Sequence, residues 1–291
     1  MIYLLMAVLF FTIQGIGSKE YTRRFPPKLE GILLNNGIAL TLAAGILAIC
    51  GGSFGLPPPE LFLALLFGVL FAVTVLSLVM AMSRGPMGMI MLLINLSMLI
   101  PVIAGALLFG ESMTFQKVLG AVCVVGVLIL SAFRAENKEK TYVPVRKWLP
   151  ITLAAVLLNG SLGITQKSFQ VLYPDALPID FTMTAFACSA LISLCGAGLL
   201  RMTGKPLITY FTAPARLFFS SFLLGAGSAG GNVLLLAALF TTPATIAYPV
   251  VQGGAVLTLW LASVLLYREK ANTRSIIMLL MGISGILLLG T

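Results

Sequence analysis

The sequence predicts an all-α integral membrane protein: ten transmembrane helices arranged as two inverted-topology five-helix repeats. Three observations lead there. Of the 291 residues, 59% are hydrophobic and only 9% charged, with mean hydropathy +1.07, whereas a soluble domain carries roughly 25% charged residues. Long apolar runs recur ten times, each near the about 20 residues a helix needs to cross the hydrocarbon core. The second half of the chain then repeats features of the first in the same order.

In chain order, helix 1 falls at 2–18, with room to run on to 25 before Pro26-Pro27. Helix 2 occupies 31–50, and helix 3, 60–82, opens after Pro57-Pro58-Pro59. Helix 4 (87–109) follows Pro86, and helix 5 covers 117–133. The longest polar stretch, RAENKEKTYVPVRK at 134–147, links the halves. Helix 6 (148–167) has room to reach 173 before Pro174, and helix 7 (178–200) opens on Pro178. Helices 8 (215–239), 9 (244–267, after Pro243) and 10 (274–290) complete the set. The expected units are residues 1–133, a cytoplasmic linker 134–147, and residues 148–291. The apolar runs are continuous rather than alternating, which excludes a β-barrel. Nothing basic precedes the first run, so no removable signal peptide is expected.

Charge sets the orientation. Sixteen of the 18 Lys and Arg residues follow odd-numbered helices, leaving only Lys117 and Lys167 on the other face. Positive loops stay cytoplasmic, so both termini are expected outside. The net charge of +9 is then an orientation signal with some pull on anionic lipid heads, and requires no nucleic-acid partner. With no histidine, imidazole metal sites and histidine general bases are excluded. Cys50, Cys123, Cys188 and Cys195 lie in apolar runs without CxxC spacing and read as small core residues. No cofactor and no metal are expected.

The repeat is visible by eye. Residues 68–87 lie on 225–244 without gaps, with Gly68/Gly225, Ala72/Ala229, Leu78/Leu235, Ala81/Ala238 and Pro86/Pro243 identical. QGIGSKEY (14–21) matches LGITQKSF (162–169), which pairs Lys19 with Lys167. Glu111 pairs with Glu269, and GVLIL (126–130) with GILLL (285–289). Five helices are an odd number, so the second copy enters the membrane upside down, as in transporters that alternate access around a midplane site.

These positions resemble the drug/metabolite transporter superfamily, in its EamA-like ten-helix branch. The resemblance spans nearly the whole chain. It rests on an aromatic-small pair in helices 1 and 6 with a lysine two helical turns on, an Ala-Leu-x-x-x-x-Ala turn between helices 8 and 9, and a Glu after helices 4 and 9. The matching residues here are Phe11-Thr12 with Lys19, Asn159-Gly160 with Lys167, Ala238-Leu239 with Ala244, and Glu111 and Glu269. Two departures stand out: Asn159 replaces the usual tryptophan, and the charge count inverts the family's inward-facing termini. Small multidrug-resistance relatives hold a proton-binding glutamate where Phe11 and Asn159 stand here. The resemblance implies a ten-helix transporter, with export as the commoner direction.

A polar side chain at membrane depth costs free energy unless it is satisfied or lines water. Gln14, Asn36, Thr74, Asn95, Asn159, Asn232, Tyr248 and Gln252 are therefore the expected cavity lining. Interhelical glue is the bland alternative for any one of them. Asn95 and Gln252 are equivalent at the helix 3/8 offset, and Tyr248 and Gln252 share a helical face. Pro101 and Pro249 leave the carbonyls of Ser97 and Thr245 without helical donors, which marks kinks in helices 4 and 9. Lys19 and Lys167 could complement a substrate anion near opposite mouths, or snorkel to the interface. All nine acids fall at helix ends or in loops, so no buried carboxylate is expected at midplane to carry a proton or grip a cation. The glycines of GAGSAGG (225–231) read as close helix packing, and Trp148, beside Arg146 and Lys147, as an interfacial anchor.

The expected function is secondary transport of a small polar metabolite (neutral, zwitterionic or anionic) across the cytoplasmic membrane, by export or exchange. The partners would be that solute and the lipid bilayer, with the protein a monomer or homodimer. Channel, non-transporting scaffold and intramembrane enzyme are the alternatives. An enzyme would need convergent acids, a metal cluster or an activated nucleophile, and none is visible in the sequence.

Overall fold

The computed structural model describes residues 1–25, 28–85, 87–136, 145–203, 213–267 and 273–289. It is helical throughout, with no strand among the described residues. In order the helices are α1 (Ile2–Arg24), α2 (Leu29–Ile49), α3 (Pro58–Met82), α4a (Met87–Leu96) and α4b (Leu99–Leu108), α5 (Phe115–Glu136), α6 (Leu149–Leu172), α7 (Pro178–Met202), α8 (Pro214–Leu239), α9 (Ala244–Tyr267) and α10 (Thr273–Leu289). Eight spans are long and apolar enough to cross a membrane, and shorter apolar stretches lie at Phe115–Leu130 and Leu280–Leu289. The chain is an integral membrane protein.

Start and stop signals act where the sequence places them. Prolines occupy the first turn of α3, α6, α7 and α8, where their missing N–H has no helical partner to lose. Gly51 (φ 97) and Gly110 (φ 66) follow α2 and α4b in the left-handed conformation, a common way to end a helix. Helices 1 and 6 use the extra room, ending at Arg24 and Leu172.

Helix 4 departs from the expected single run. It breaks at Ser97-Met98, the middle of the span Met89–Leu108. Pro101 cannot donate to the Ser97 carbonyl, and the Ile100 N–H takes that carbonyl instead at 3.0 Å, in a tighter turn. The Ser97 hydroxyl bonds back to the Ile94 carbonyl at 2.6 Å. Pro249, by contrast, sits inside a continuous α9. It lies in the second turn, where only one early carbonyl loses its donor.

Packing runs across the halves. α1 lies on α8, α6 on α3, and α2 on α7, while α5 lies against α10. The glycine cluster brings α8 close to two helices: a Cβ at Gly227 would strike the backbone of Phe10 and Gln14 on α1, and one at Gly225 the Ala39 carbonyl on α2. The largest core cluster joins Leu4, Val8, Leu40, Phe67, Phe169, Phe181, Phe186 and Leu236. Outward, Leu5, Leu9, Leu107, Leu191 and Leu199 are exposed, as suits a surface solvated by acyl chains.

Two expectations are corrected. Trp148 is buried, its ring over Gly85 beside Ala81 and Ile90, because the bare glycine leaves room for an indole. None of the cysteines is in the core: Cys50 and Cys195 are exposed, Cys123 and Cys188 partly so. An apolar run in a membrane protein faces lipid as readily as core, so hydropathy alone could not separate the two.

Candidate functional site

Helices α6 and α9 run antiparallel on either side of the broken helix α4. On α6 the residues at successive four-residue steps are Asn159, Gly163 and Lys167; on α9 they are Gln252, Tyr248 and Ala244. Residues so spaced stack on one face about 6 Å apart. The two stripes meet in three polar rungs.

The middle-depth rung is made of amides. Gln252 Nε2 donates to Asn95 Oδ1 at 2.7 Å, and Asn159 Nδ2 donates to Ser97 Oγ at 2.6 Å. Both bonds end on α4 beside its break. Gly160 and Gly163 let α4b come close: a Cβ at either would strike Ile100 or Pro101. In the second rung, Tyr248 donates its hydroxyl proton to the Gly163 carbonyl at 2.7 Å.

The third rung is an ion pair. Lys167 Nζ lies 3.0 Å from Glu111 Oε1, with both side chains 9% exposed, and also donates to Gln170 Oε1 at 2.9 Å. Glu111 reaches inward from the turn after α4b, whose left-handed Gly110 reverses the chain. Its carboxylate accepts the backbone N–H groups of Ala244 at 2.8 Å and Thr245 at 2.9 Å. These are free donors at the positive end of α9. Burial pushes the Glu111 carboxyl up, but the Thr245 and Ala244 N–H groups and the Lys167 ammonium outweigh it and hold it below its ordinary range. Glu111 and Glu30 lie in a turn and in the first turn of α2, as expected of the acids, yet both side chains are drawn inside. A side chain that turns back along the bundle is buried although its backbone lies past a helix end.

Exposure changes down the ladder. Lys167 and Tyr248 are buried, whereas Asn95, Asn159 and Gln252 are half-buried. The rungs nearer Glu111 are the more deeply buried.

The remaining candidates are placed elsewhere. Asn232 is buried and accepts from Gln166 Nε2 at 3.1 Å, a partner that sequence reasoning passed over. Asn36 bonds to Ser193 across α2 and α7 at 3.0 Å, and Thr74 bonds to Leu70 within its own helix at 2.7 Å. The structure does not bring those two to the ladder. Gln14 is half-buried on α1 against α8. Lys19 is half-buried near the opposite end of the bundle from Lys167. Glu269 lies outside the described residues. No group of three or more His, Cys, Asp and Glu able to hold a metal occurs among the described residues.

Comparison with known proteins agrees with this architecture. The profile of one family matches residues 1–133, from α1 to near the end of α5. This half of the chain belongs to the EamA-like transporter family. That places it in the drug/metabolite transporter superfamily, among membrane transporters. The fold continues through the other half: a protein of known crystal structure is similar over 99% of this chain and 97% of its own, with TM-score 0.72 and 15% identity. At that identity the likeness is one of fold alone. No curated protein is a match for the chain. Within the EamA-like half lie Asn95, Ser97, Pro101 and Glu111; their partners Asn159, Gly163, Lys167, Tyr248 and Gln252 all come from the other half.

Proposed function

We propose that the protein is a secondary transporter of a small polar solute, working by alternating access between two inverted five-helix repeats. It would act in the cytoplasmic membrane as an exporter or exchanger, as a monomer or homodimer, with both termini outside. Residues 1–133 and 148–291 are the repeats, and 134–147 the cytoplasmic linker between them.

The helix pairing carries this reading. Exchanging helices 1–5 for helices 6–10 carries the principal packings onto one another: α1 on α8 becomes α6 on α3, α2 on α8 becomes α7 on α3, and α1 on α9 becomes α6 on α4. The pairs α2–α7, α4–α9 and α5–α10 map onto themselves. Such a bundle has two related packings, one open to each side. A helix broken at midplane is the other recurring feature of such sites. The amide rung beside the break is then the binding site, and the Lys167–Glu111 pair closes the bundle toward one face.

The test is flux into proteoliposomes of purified protein, screened with radiolabelled amino acids, nucleobases and organic acids. Saturable uptake is expected, with a loss in Gln252→Ala and Tyr248→Phe. Flux that never saturates would mean a channel, and no flux of any solute a scaffold. Saturable flux unchanged in both variants would remove the site from this ladder.

A further inference from the structure

The Asn95–Gln252 bond leaves a pattern that does not depend on how either amide is turned. In any single amide–amide hydrogen bond the donor residue keeps its carbonyl oxygen and the acceptor residue keeps its NH2 group. Here the remainders are Gln252 Oε1 and Asn95 Nδ2, and neither makes a further hydrogen bond among the described residues. An acceptor and a donor are thus left over at one contact, on half-buried side chains whose bond joins the two halves. Where water is scarce, an unfilled amide group is costly to leave unmade.

The charge around this edge is balanced. The cation nearest along α6, Lys167, lies about 12 Å further on and is matched by Glu111. Asn159 and Ser97, the neighbouring polar groups, are neutral and bonded to each other. A carboxylate offers only acceptors, so one of its oxygens would face Gln252 Oε1. An ammonium offers only donors and would face the Asn95 NH2. A solute carrying a donor and an acceptor on the same carbonyl carbon satisfies both.

We propose that this pair is the recognition edge for an uncharged solute bearing an amide edge, either a primary carboxamide or a ring lactam such as a nucleobase presents. The assignment rests on the transport reading above and narrows its solute from polar to amide-bearing and neutral. On that reading Asn95 and Gln252 are repeat-equivalent, so the edge lies at the axis relating the halves and stays central as they rock.

Binding separates this inference from transport. Purified protein in detergent would be titrated calorimetrically with nicotinamide, uracil and nicotinate, the last differing from the first only by carboxylate for carboxamide. Saturable binding of nicotinamide or uracil is expected, at least about tenfold tighter than nicotinate. Asn95→Ala and Gln252→Ala should each lower amide affinity by about tenfold or more. If an alanine variant does not fold, Gln252→Glu keeps the size and turns the edge acceptor-only, and should lose amide affinity by a similar factor. Nicotinate binding as tightly as nicotinamide, no binding of either amide, or amide binding indifferent to these variants would overturn the proposal. If proteoliposomes carry organic acids saturably while both amides fail to bind, transport stands and this inference falls. If the amides bind as expected yet no solute is moved, the recognition edge stands and the transport reading falls.

Discussion

Lys167 and Glu111 form an ion pair between α6 and the turn after α4b, Nζ to Oε1 at 3.0 Å, with both side chains 9% exposed. The same carboxylate holds the first N–H groups of α9. One side chain therefore ties three helices together at one face of the bundle.

Removing one member of a buried pair leaves an unmatched charge, which commonly costs roughly 3–5 kcal/mol, while removing both costs far less. Glu111→Ala should be the most damaging change here, because it also strips two N–H groups of α9. Lys167→Met combined with Glu111→Gln should recover much of the loss relative to Lys167→Met alone. Thermal unfolding in detergent reads both. A double variant no better than Lys167→Met would mean that the pair is not coupled.

Acid should release the same contact, and only acid. Glu111 in the folded protein titrates below its ordinary value. Its stabilising contribution is therefore complete above the ordinary carboxylate pKa and is lost as pH falls through the lowered folded value. Wild type and Glu111→Gln should keep a constant difference in Tm from about pH 8 to about pH 6, and converge only below the ordinary carboxylate range. A carboxylate still ionised across that window does not carry a proton, so flux should not follow a proton gradient through this residue. A Tm difference that shrinks between pH 8 and pH 6 would contradict both points.

The contact of α8 with α1 predicts a contrast between two glycines. A Cβ at Gly227 meets backbone atoms of Gln14 and Phe10, which no rotamer change relieves, whereas one at Gly45 meets nothing within 4 Å. Gly227→Ala should destabilise by about 1–3 kcal/mol. Gly45→Ala should be neutral or stabilising by up to about 1 kcal/mol. Comparing their melting temperatures against wild type checks the packing directly.

Orientation is open to a simple measurement. The distribution of Lys and Arg predicts that the face bearing Arg23, Arg24, Arg146 and Lys147 is cytoplasmic. A reporter fused after Thr291 should read as extracytoplasmic, and the face closed by Glu111 is then the outer one. A cytoplasmic reading would invert the assignment of both faces.

Much of the architecture could be read without coordinates. Length and hydropathy determined the number of helices, and proline and glycine placed most ends within a few residues, because membrane insertion and helix termination are local properties of the chain. The family resemblance read from short motifs reappears in the match over residues 1–133. Pro101 and the polar residues Asn95 and Ser97 marked helix 4 as a place of disturbance.

What no linear reading could supply is pairing. That Gln252 meets Asn95, that Asn159 reaches Ser97, and that Tyr248 spends its proton on Gly163 depend on which helices become neighbours. The bulk apolar character of each helix leaves that choice open. The same holds for Trp148, which sequence position assigned to the interface, and for Glu111, which it put just past a helix end; the bundle draws both side chains inside. A glycine opposite makes room for the one; a lysine and a bare helix end neutralise the other. Burial of a polar or bulky group is decided by what stands across from it, and only the folded chain contains that information.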